Sequence, residues 1–135
     1  IVDALITCKY GTMWPPIYYF DDYAEILPAV TGIKEFARVQ EVRAAAERIV
    51  NLKRAFNARL GLDRKDDTLP ERFLKDPMPN GPAKGMIVDL KPMLDEYYRE
   101  RGWDVRTGLQ KRSTLKKFGL ADVAQDLVKI GRISS

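Results

Sequence analysis

The sequence predicts a mainly α fold, an irregular set of helices interrupted by one long Pro/Gly-rich connection and belonging to a larger multidomain chain. Three observations carry this reading. Apolar side chains recur at spacings of three and four through several stretches. The longest alternating, strand-like run is only Met86-Ile87-Val88. Gly32, Gly61 and Gly102 each stand just past the last apolar position of a periodic stretch, where a positive φ closes a helix without a Cβ clash.

The clearest period runs from Arg38 to Leu60. Val39, Val42, Ala45, Ala46, Ile49, Leu52, Phe56 and Leu60 are expected on one face, with Glu41, Arg43, Glu47, Lys53 and Arg54 elsewhere. Before it, Asp22 followed three residues later by Glu25 reads as a capping box. It opens a shorter helix with Ile26, Leu27 and Val30 as the apolar side, and Pro28 is expected to cost a backbone hydrogen bond and kink the last turn. From Gly61 to Gly85 the charged string Asp63-Arg64-Lys65-Asp66-Asp67 and a series of prolines predict an extended connection. Within it, Thr68-Leu69-Pro70-Glu71 can start one short turn capped by the threonine hydroxyl. Helical period resumes at Asp89 with Leu90, Met93, Leu94, Tyr97 and Tyr98, and Trp103 is expected to pack back. Tyr97 and Tyr98 cannot both face inward, so one of them is exposed or at an interface. Two short helices follow, from about Ser113 to Phe118 and from Ala121 to Lys129, with Leu115, Phe118, Leu120, Val123, Leu127 and Ile130 as the apolar side.

Composition narrows the chemistry. At 135 residues, 45% hydrophobic and 31% charged, the chain has the make-up of one globular domain. It contains no histidine, which excludes an imidazole base, a His-containing triad and a histidine metal ligand within this stretch. The single cysteine, Cys8, cannot close an internal disulfide or hold a zinc or iron-sulfur centre alone. The net charge of +4 suits a polyanion without requiring one. The start at Ile1-Val2-Asp3, without an initiating methionine or an export signal, reads as the middle of a longer polypeptide. The longest uncharged run, Tyr10 to Phe20, is broken by Gly11, Pro15 and Pro16 and falls short of the roughly 20 apolar residues that span a bilayer. No membrane segment is expected.

Several residues admit two readings each. Cys8 is either a small buried hydrophobe or a ligand, and Asp3 either a surface acid or a contact for a bound group. Lys9 is either solvated or a positive charge close to a metal centre. The run Met13-Trp14-Pro15-Pro16-Ile17-Tyr18-Tyr19-Phe20 is either core or the lining of a small-molecule channel. The mixed signs of Arg64-Lys65-Asp66-Asp67 read as an ion-paired loop, and Asp95, Glu96, Arg99, Glu100 and Arg101 as a solvated helix face.

The window Asp3-Ala4-Leu5-Ile6-Thr7-Cys8-Lys9 occurs together with Asp63 to Asp67 running into Thr68-Leu69-Pro70-Glu71-Arg72-Phe73. Gly81-Pro82-Ala83-Lys84-Gly85, Tyr97-Tyr98 and Gly102-Trp103-Asp104 follow in order. With Ala29-Val30-Thr31-Gly32, Arg48-Ile49-Val50-Asn51-Leu52, Phe56-Asn57 and Phe118-Gly119-Leu120, nearly the whole chain resembles the C-terminal helical domain of the tungsten-dependent aldehyde:ferredoxin oxidoreductases. The resemblance implies one domain over residues 1–135. Residues 1–21 are then a cofactor-proximal segment, 22–61 helices, 62–88 the extended connection and 89–135 the C-terminal helices.

In that family a D-x-x-G-L-C element supplies an aspartate for the pterin cofactor and a cysteine as fourth ligand of a [4Fe-4S] cluster, the other three coming from an upstream C-x-x-C-x-x-x-C motif. By resemblance Asp3 is the pterin contact and Cys8 the cluster ligand. Those residue types suit the tasks: a carboxylate accepts two parallel hydrogen bonds from an aminopyrimidinone edge, and a thiolate ligates iron. Ile6 and Thr7 depart from the family's Gly and Leu, which bears on close approach of the backbone to the pterin. The charged string is expected to pin its loop over a neighbouring domain and not to be catalytic.

The resemblance implies a cytoplasmic enzyme with tungstopterin (tungsten or molybdenum) and a [4Fe-4S] cluster, oxidising a small aldehyde and reducing ferredoxin. Its partners are then the remaining domains of the parent chain, and a homodimer is among the expected assemblies. This segment alone is expected to be inactive. Three alternatives stand beside that reading. One is a subunit of benzoyl-coenzyme A reductase type. A second is a cofactor-free scaffold. The third is a basic module using Lys53-Arg54, Lys111-Arg112 and Lys116-Lys117 on nucleic acid, for which no helix-turn-helix or zinc signature is present.

Overall fold

A computed structural model describes residues 1–12 and 18–134, apart from the side chain of Lys9. The chain is mainly α, as the periodicity predicts. Among the described residues, β pairing is limited to the isolated bridges Trp103 with Gln110 and Lys111 with Ser134. In order, a 3₁₀ turn at Asp3–Leu5 precedes α1 (Lys9–Thr12) and α2 (Phe20–Thr31), and a second 3₁₀ turn, Lys34–Ala37, leads to the long α3 (Val39–Arg59). After a 3₁₀ turn at Arg64–Asp66 come α4 (Glu71–Lys75), α5 (Leu90–Glu100), α6 (Arg112–Lys117) and α7 (Ala121–Lys129). Two compact units divide within α3, Ile1–Lys53 and Arg54–Ser135. Among the described residues, no helix is long and apolar enough to cross a membrane.

In the first unit, α2 begins differently from the expected cap. Asp22 is the third helical residue, and its carboxylate accepts the Tyr19 backbone N–H at 2.6 Å, so the acid reaches back to the cap and does not occupy it. The helix continues through Pro28 to Thr31 and closes at Gly32, whose φ is 75° and whose N–H donates to the Pro28 carbonyl at 2.9 Å. Its buried face is Tyr23, Ala24 and Leu27, which join Val2 and Val42 in one core, while Val30 is exposed. The apolar positions of α2 cover more than one face, and the largest side chain, Tyr23, selects the face that packs.

The helix α3 keeps the predicted length and the stop at Gly61, but its predicted apolar face holds only as far as the half-buried Ala45 and Ala46. In the first unit Ile49 and Leu52 are exposed and Asn51 is buried, its side-chain amide donating to the Glu47 carbonyl at 3.0 Å. In the second unit Arg54, Ala55 and Ala58 are buried while Phe56 is 62% exposed and Leu60 is exposed too. Positions 51, 54, 55 and 58 share a helical face of their own. Its alanines allow close backbone approach, and its polar members find partners inside.

The second unit packs Ala55, Ala58, Leu109, Leu115, Leu120, Ala124 and Leu127 into its core, flanked by Val123 and Ile133. Leu115 is fully buried, worth about 1.5–3 kcal/mol relative to exposure. The connection between α3 and α5 is held by irregular backbone bonds: Gly85 N–H to Met78 O at 2.8 Å, Met78 N–H to Met86 O at 3.0 Å and Val88 N–H to Phe73 O at 2.9 Å. The expected turn forms as α4, but Pro70 occupies its cap, and the Thr68 hydroxyl donates to the Leu69 carbonyl at 3.4 Å. Tyr98 faces inward and Tyr97 outward, and Trp103 folds back on both.

Candidate functional site

The residues singled out for cofactor chemistry lie on the loop that opens the first unit. Its geometry is set by one carbonyl. The Val2 oxygen accepts from Leu5 N–H at 3.1 Å and from both the N–H and the hydroxyl of Thr7 at 3.3 Å, while the Val2 side chain is buried in the core. The 3₁₀ turn Asp3–Leu5 is therefore tied to a packed residue, and it leaves Asp3 and Cys8 exposed. Cys8 is a free, exposed thiol, which corrects its alternative reading as a small buried hydrophobe.

The turn closes through Ile6, whose φ of 55° and ψ of 33° are left-handed. A β-branched residue there is an outlier that costs about 1–2 kcal/mol, whereas glycine adopts the conformation freely. This supplies a conformational reason for the glycine that the family resemblance places at this position. Ile6 is also 93% exposed, so burial does not offset the strain.

Asp3 lines a cavity of about 370 Å³ whose walls are Tyr18, Tyr19, Phe20 and Tyr23, closed by Ile1 and Val2. The Asp3 carboxylate has no side-chain partner among the described residues. The Arg43 guanidinium lies 4.3 Å from the centre of the Phe20 ring and holds that wall by a cation–π contact. The Tyr23 hydroxyl is buried and finds no hydrogen-bond partner among the described residues. A buried donor left in that state costs about 1–3 kcal/mol. Of the aromatic run proposed as channel lining, Tyr18 to Phe20 do line a cavity, while Met13 to Ile17 lie outside the described residues, as does the Lys9 side chain.

The cavity tests the fit to a pterin. An exposed carboxylate with both oxygens open, beside flat aromatic walls, suits an aminopyrimidinone edge. An iron-sulfur cluster fits only in part: Cys8 offers one thiolate, and among the described residues no group of three or more His, Cys, Asp or Glu side chains could hold a metal ion. A centre bound at Cys8 takes its other ligands from outside these residues.

The charged string of the second unit is built on other lines. Arg54 forms a bidentate pair with Asp67 at 2.7 and 2.6 Å, and its Nε donates to the Gly108 carbonyl at 3.1 Å. The Tyr98 hydroxyl donates to the same Asp67 carboxylate, and the Tyr98 ring stacks on Trp103 with 6.0 Å between centroids. Arg64 donates to the Val105 carbonyl at 2.6 Å and pairs with Asp95 at 2.6 Å. Asp95 is thus half-buried and paired, which corrects the reading of its helix face as wholly solvated. Arg132 donates to the Ala58 carbonyl at 3.1 Å and the Leu62 carbonyl at 2.9 Å, and pairs with Asp63 at 3.4 Å.

Protonation follows from these partners. Burial opposes the Arg54 charge, but the hydrogen bond and charge of Asp67 outweigh it and hold the pKa above its usual value. Burial, then the Asp67 hydrogen bond and charge, push the Tyr98 phenol upward, so it stays protonated. The hydrogen bond from Lys91, then that from Arg64, draw Asp95 down, and the Lys65 backbone N–H does the same for Asp63. Sequence reasoning missed the burial of Arg54, which it placed off the apolar face of α3. The signal was available in the alanines at 55 and 58, which mark a close-packed face.

Together these features define a mainly helical chain with candidate ligands on one exposed loop and a self-satisfied ion network elsewhere. Residues 1–120 match the family model described as "Aldehyde ferredoxin oxidoreductase, domains 2 & 3". The tungsten-containing aldehyde ferredoxin oxidoreductase of Thermococcus kodakarensis is 45% identical over 123 residues, and that of Pyrococcus horikoshii 46% over 123. Each alignment covers 90% of this chain and 19% of the relative. Among solved structures, the active site complex BamBC of benzoyl coenzyme A reductase, in complex with 1,5-dienoyl-CoA, is similar with a TM-score of 0.80 and 31% identity. That likeness covers 99% of this chain and 19% of the other. The chain belongs to the aldehyde ferredoxin oxidoreductase family and spans about a fifth of the length of these relatives.

Proposed function

We propose that the complete protein carrying this segment is a tungstopterin oxidoreductase that oxidises an aldehyde to a carboxylic acid and delivers the electrons through a [4Fe-4S] cluster to ferredoxin. The observation that carries this reading is the open Asp3 carboxylate at an aromatic cavity, on the same short loop as the free, exposed Cys8. When bound, the metal and pterin supply the oxidation itself, RCHO + H₂O → RCOO⁻ + 3 H⁺ + 2 e⁻. Asp3 accepts hydrogen bonds from the pterin's aminopyrimidinone edge, and Cys8 as thiolate provides one cluster ligand. The aromatic walls keep water from the pterin's face. The segment holds no histidine to serve as an active-site proton donor and one cysteine of the four that a cluster needs, so taken alone it is expected to be inactive. Its partners in this reading are the remaining domains of the parent chain, ferredoxin and a small aldehyde, in a reducing cytoplasm, with a homodimer as the assembly to examine.

The similarity to the benzoyl coenzyme A reductase complex favours a second reading, a subunit of that type. Assay of the complete protein purified without oxygen separates the two. Ferredoxin reduction that depends on added aldehyde supports the first. Reduction driven by 1,5-dienoyl-CoA and not by any aldehyde supports the second, and a protein inert to both and free of tungsten contradicts both.

A further inference from the structure

We propose that Asn80 is a self-modifying site, at which attack by the Gly81 backbone nitrogen expels the side-chain amide and leaves aspartate and isoaspartate. Three asparagines occur in the sequence, Asn51, Asn57 and Asn80, and only Asn80 precedes a glycine. The fold separates them further. Asn51 and Asn57 lie inside α3, where the N–H that follows each is committed to a helical carbonyl four residues back. Asn51 is also buried, and Asn57, though exposed, is followed by Ala58, whose Cβ crowds the nitrogen.

Asn80 lies in the second unit between α4 and α5, near the tip of a loop closed by the bonds between Met78 and Met86 and between Met78 and Gly85. Within the tip the Gly81 carbonyl accepts the Lys84 N–H at 3.1 Å, and the Ala83 carbonyl accepts the Met86 N–H at 3.0 Å. The Gly81 N–H and the Asn80 side chain have no partner among the described residues. Both residues are exposed, so water reaches them. Gly81 has a φ of 79°, in the left-handed region that favours glycine. The turn therefore keeps a glycine after Asn80, and with it a nitrogen that no Cβ shields.

The step balances with water alone. The Gly81 nitrogen gives up its proton and bonds to Asn80 Cγ, the Cγ–Nδ2 bond breaks, and ammonia leaves as a cyclic succinimide closes. Water then opens the ring: cleavage at Cγ gives aspartate, and cleavage at the original backbone carbonyl gives isoaspartate, with the main chain rerouted through the side chain. Either product adds a carboxylate and lowers the net charge by one from +4. The inference is independent of the function proposed above, because it uses no cofactor and no residue of the Asp3 loop.

The test is peptide mapping by mass spectrometry of the complete protein, kept folded in mildly alkaline buffer beside a free peptide of residues 76–86. Asn80 is expected to convert at least about tenfold faster than Asn57 and at no less than about a tenth of the peptide's rate, with both products present. In Asn80→Gln the longer side chain must close a larger ring, and conversion at this position is expected to slow at least about tenfold. The thermal midpoint of that variant is expected to be unchanged, so folding does not confound the comparison. Conversion at Asn80 below a tenth of the peptide's rate, an equal rate at Asn57, aspartate without isoaspartate, or undiminished conversion in Asn80→Gln would each overturn the assignment.

Discussion

Asp3 of the first unit and Asp67 and Asp95 of the second are treated in opposite ways. In the second, Asp67 is held by two guanidinium nitrogens and a tyrosine hydroxyl, and Asp95 by a lysine and an arginine. In the first, Asp3 stands open at a cavity, Tyr23 buries a hydroxyl without a described partner, and Ile6 is strained and exposed. A network whose groups are satisfied is suited to holding structure, whereas unmet bonds and stored strain mark a region as a candidate for function. The charged string Asp63 to Asp67, read from the sequence as an ion-paired loop, is built into such a network, and the loop at Asp3 carries the candidate site.

The largest effect should come from Arg54→Leu. It leaves Asp67 half-buried and without its guanidinium partner, and is expected to destabilise the second unit by about 3–5 kcal/mol, read as faster hydrogen exchange at the α5 amides. A small loss would break the comparison. Gly108→Ala ranks next. At φ 66° a Cβ would sit 2.7 Å from an Arg54 nitrogen and 3.0 Å from the Tyr98 ring, so a cost of up to about 3 kcal/mol is expected in the same measurement. Tyr98→Phe removes one bond to a carboxylate and should cost about 2 kcal/mol, with the Arg54–Asp67 pair intact.

Acid sharpens the contrast. Hydrogen bonds lower the folded pKa values of Asp63, Asp95 and Asp104 below those of the unfolded chain. Their stabilisation is then fully present above about pH 5 and is lost as pH falls through the ordinary carboxylate range near 4 toward the lower folded values. Thermal midpoints measured between pH 6 and 3 should fall over that interval, with a shallower fall in Asp95→Asn. The smallest effect is a gain: Ile6→Gly should stabilise the first unit by roughly 1 kcal/mol through relief of the left-handed strain, visible as a raised midpoint.

Most helices were legible because period and glycine stops are local signals. Gly32 and Gly61 do close α2 and α3, and Ala121–Lys129 forms where its apolar spacing places it. Which face packs was less legible. Hydrophobicity favours Phe56 over Arg54, yet Arg54 is buried because Asp67, Gly108 and Trp103, distant in sequence, meet it there. Asp22 was assigned to the cap and sits at the third position, since a short acid serves either end of the same hydrogen bond. For the site, Asp3 and Cys8 came from the motif alone. Tyr23 carried no motif, and its buried hydroxyl and its place in the cavity wall are seen only in the folded chain.

The most direct test is the iron, acid-labile sulfide and tungsten content of the complete protein purified without oxygen, beside Cys8→Ala and Tyr98→Phe. The account predicts about four irons per chain together with tungsten in the wild type, iron lost in Cys8→Ala, and full metal content in Tyr98→Phe despite its lower stability. Iron retained in Cys8→Ala, or lost equally in Tyr98→Phe, would contradict the assignment of cofactor contact to the first unit and structure to the second.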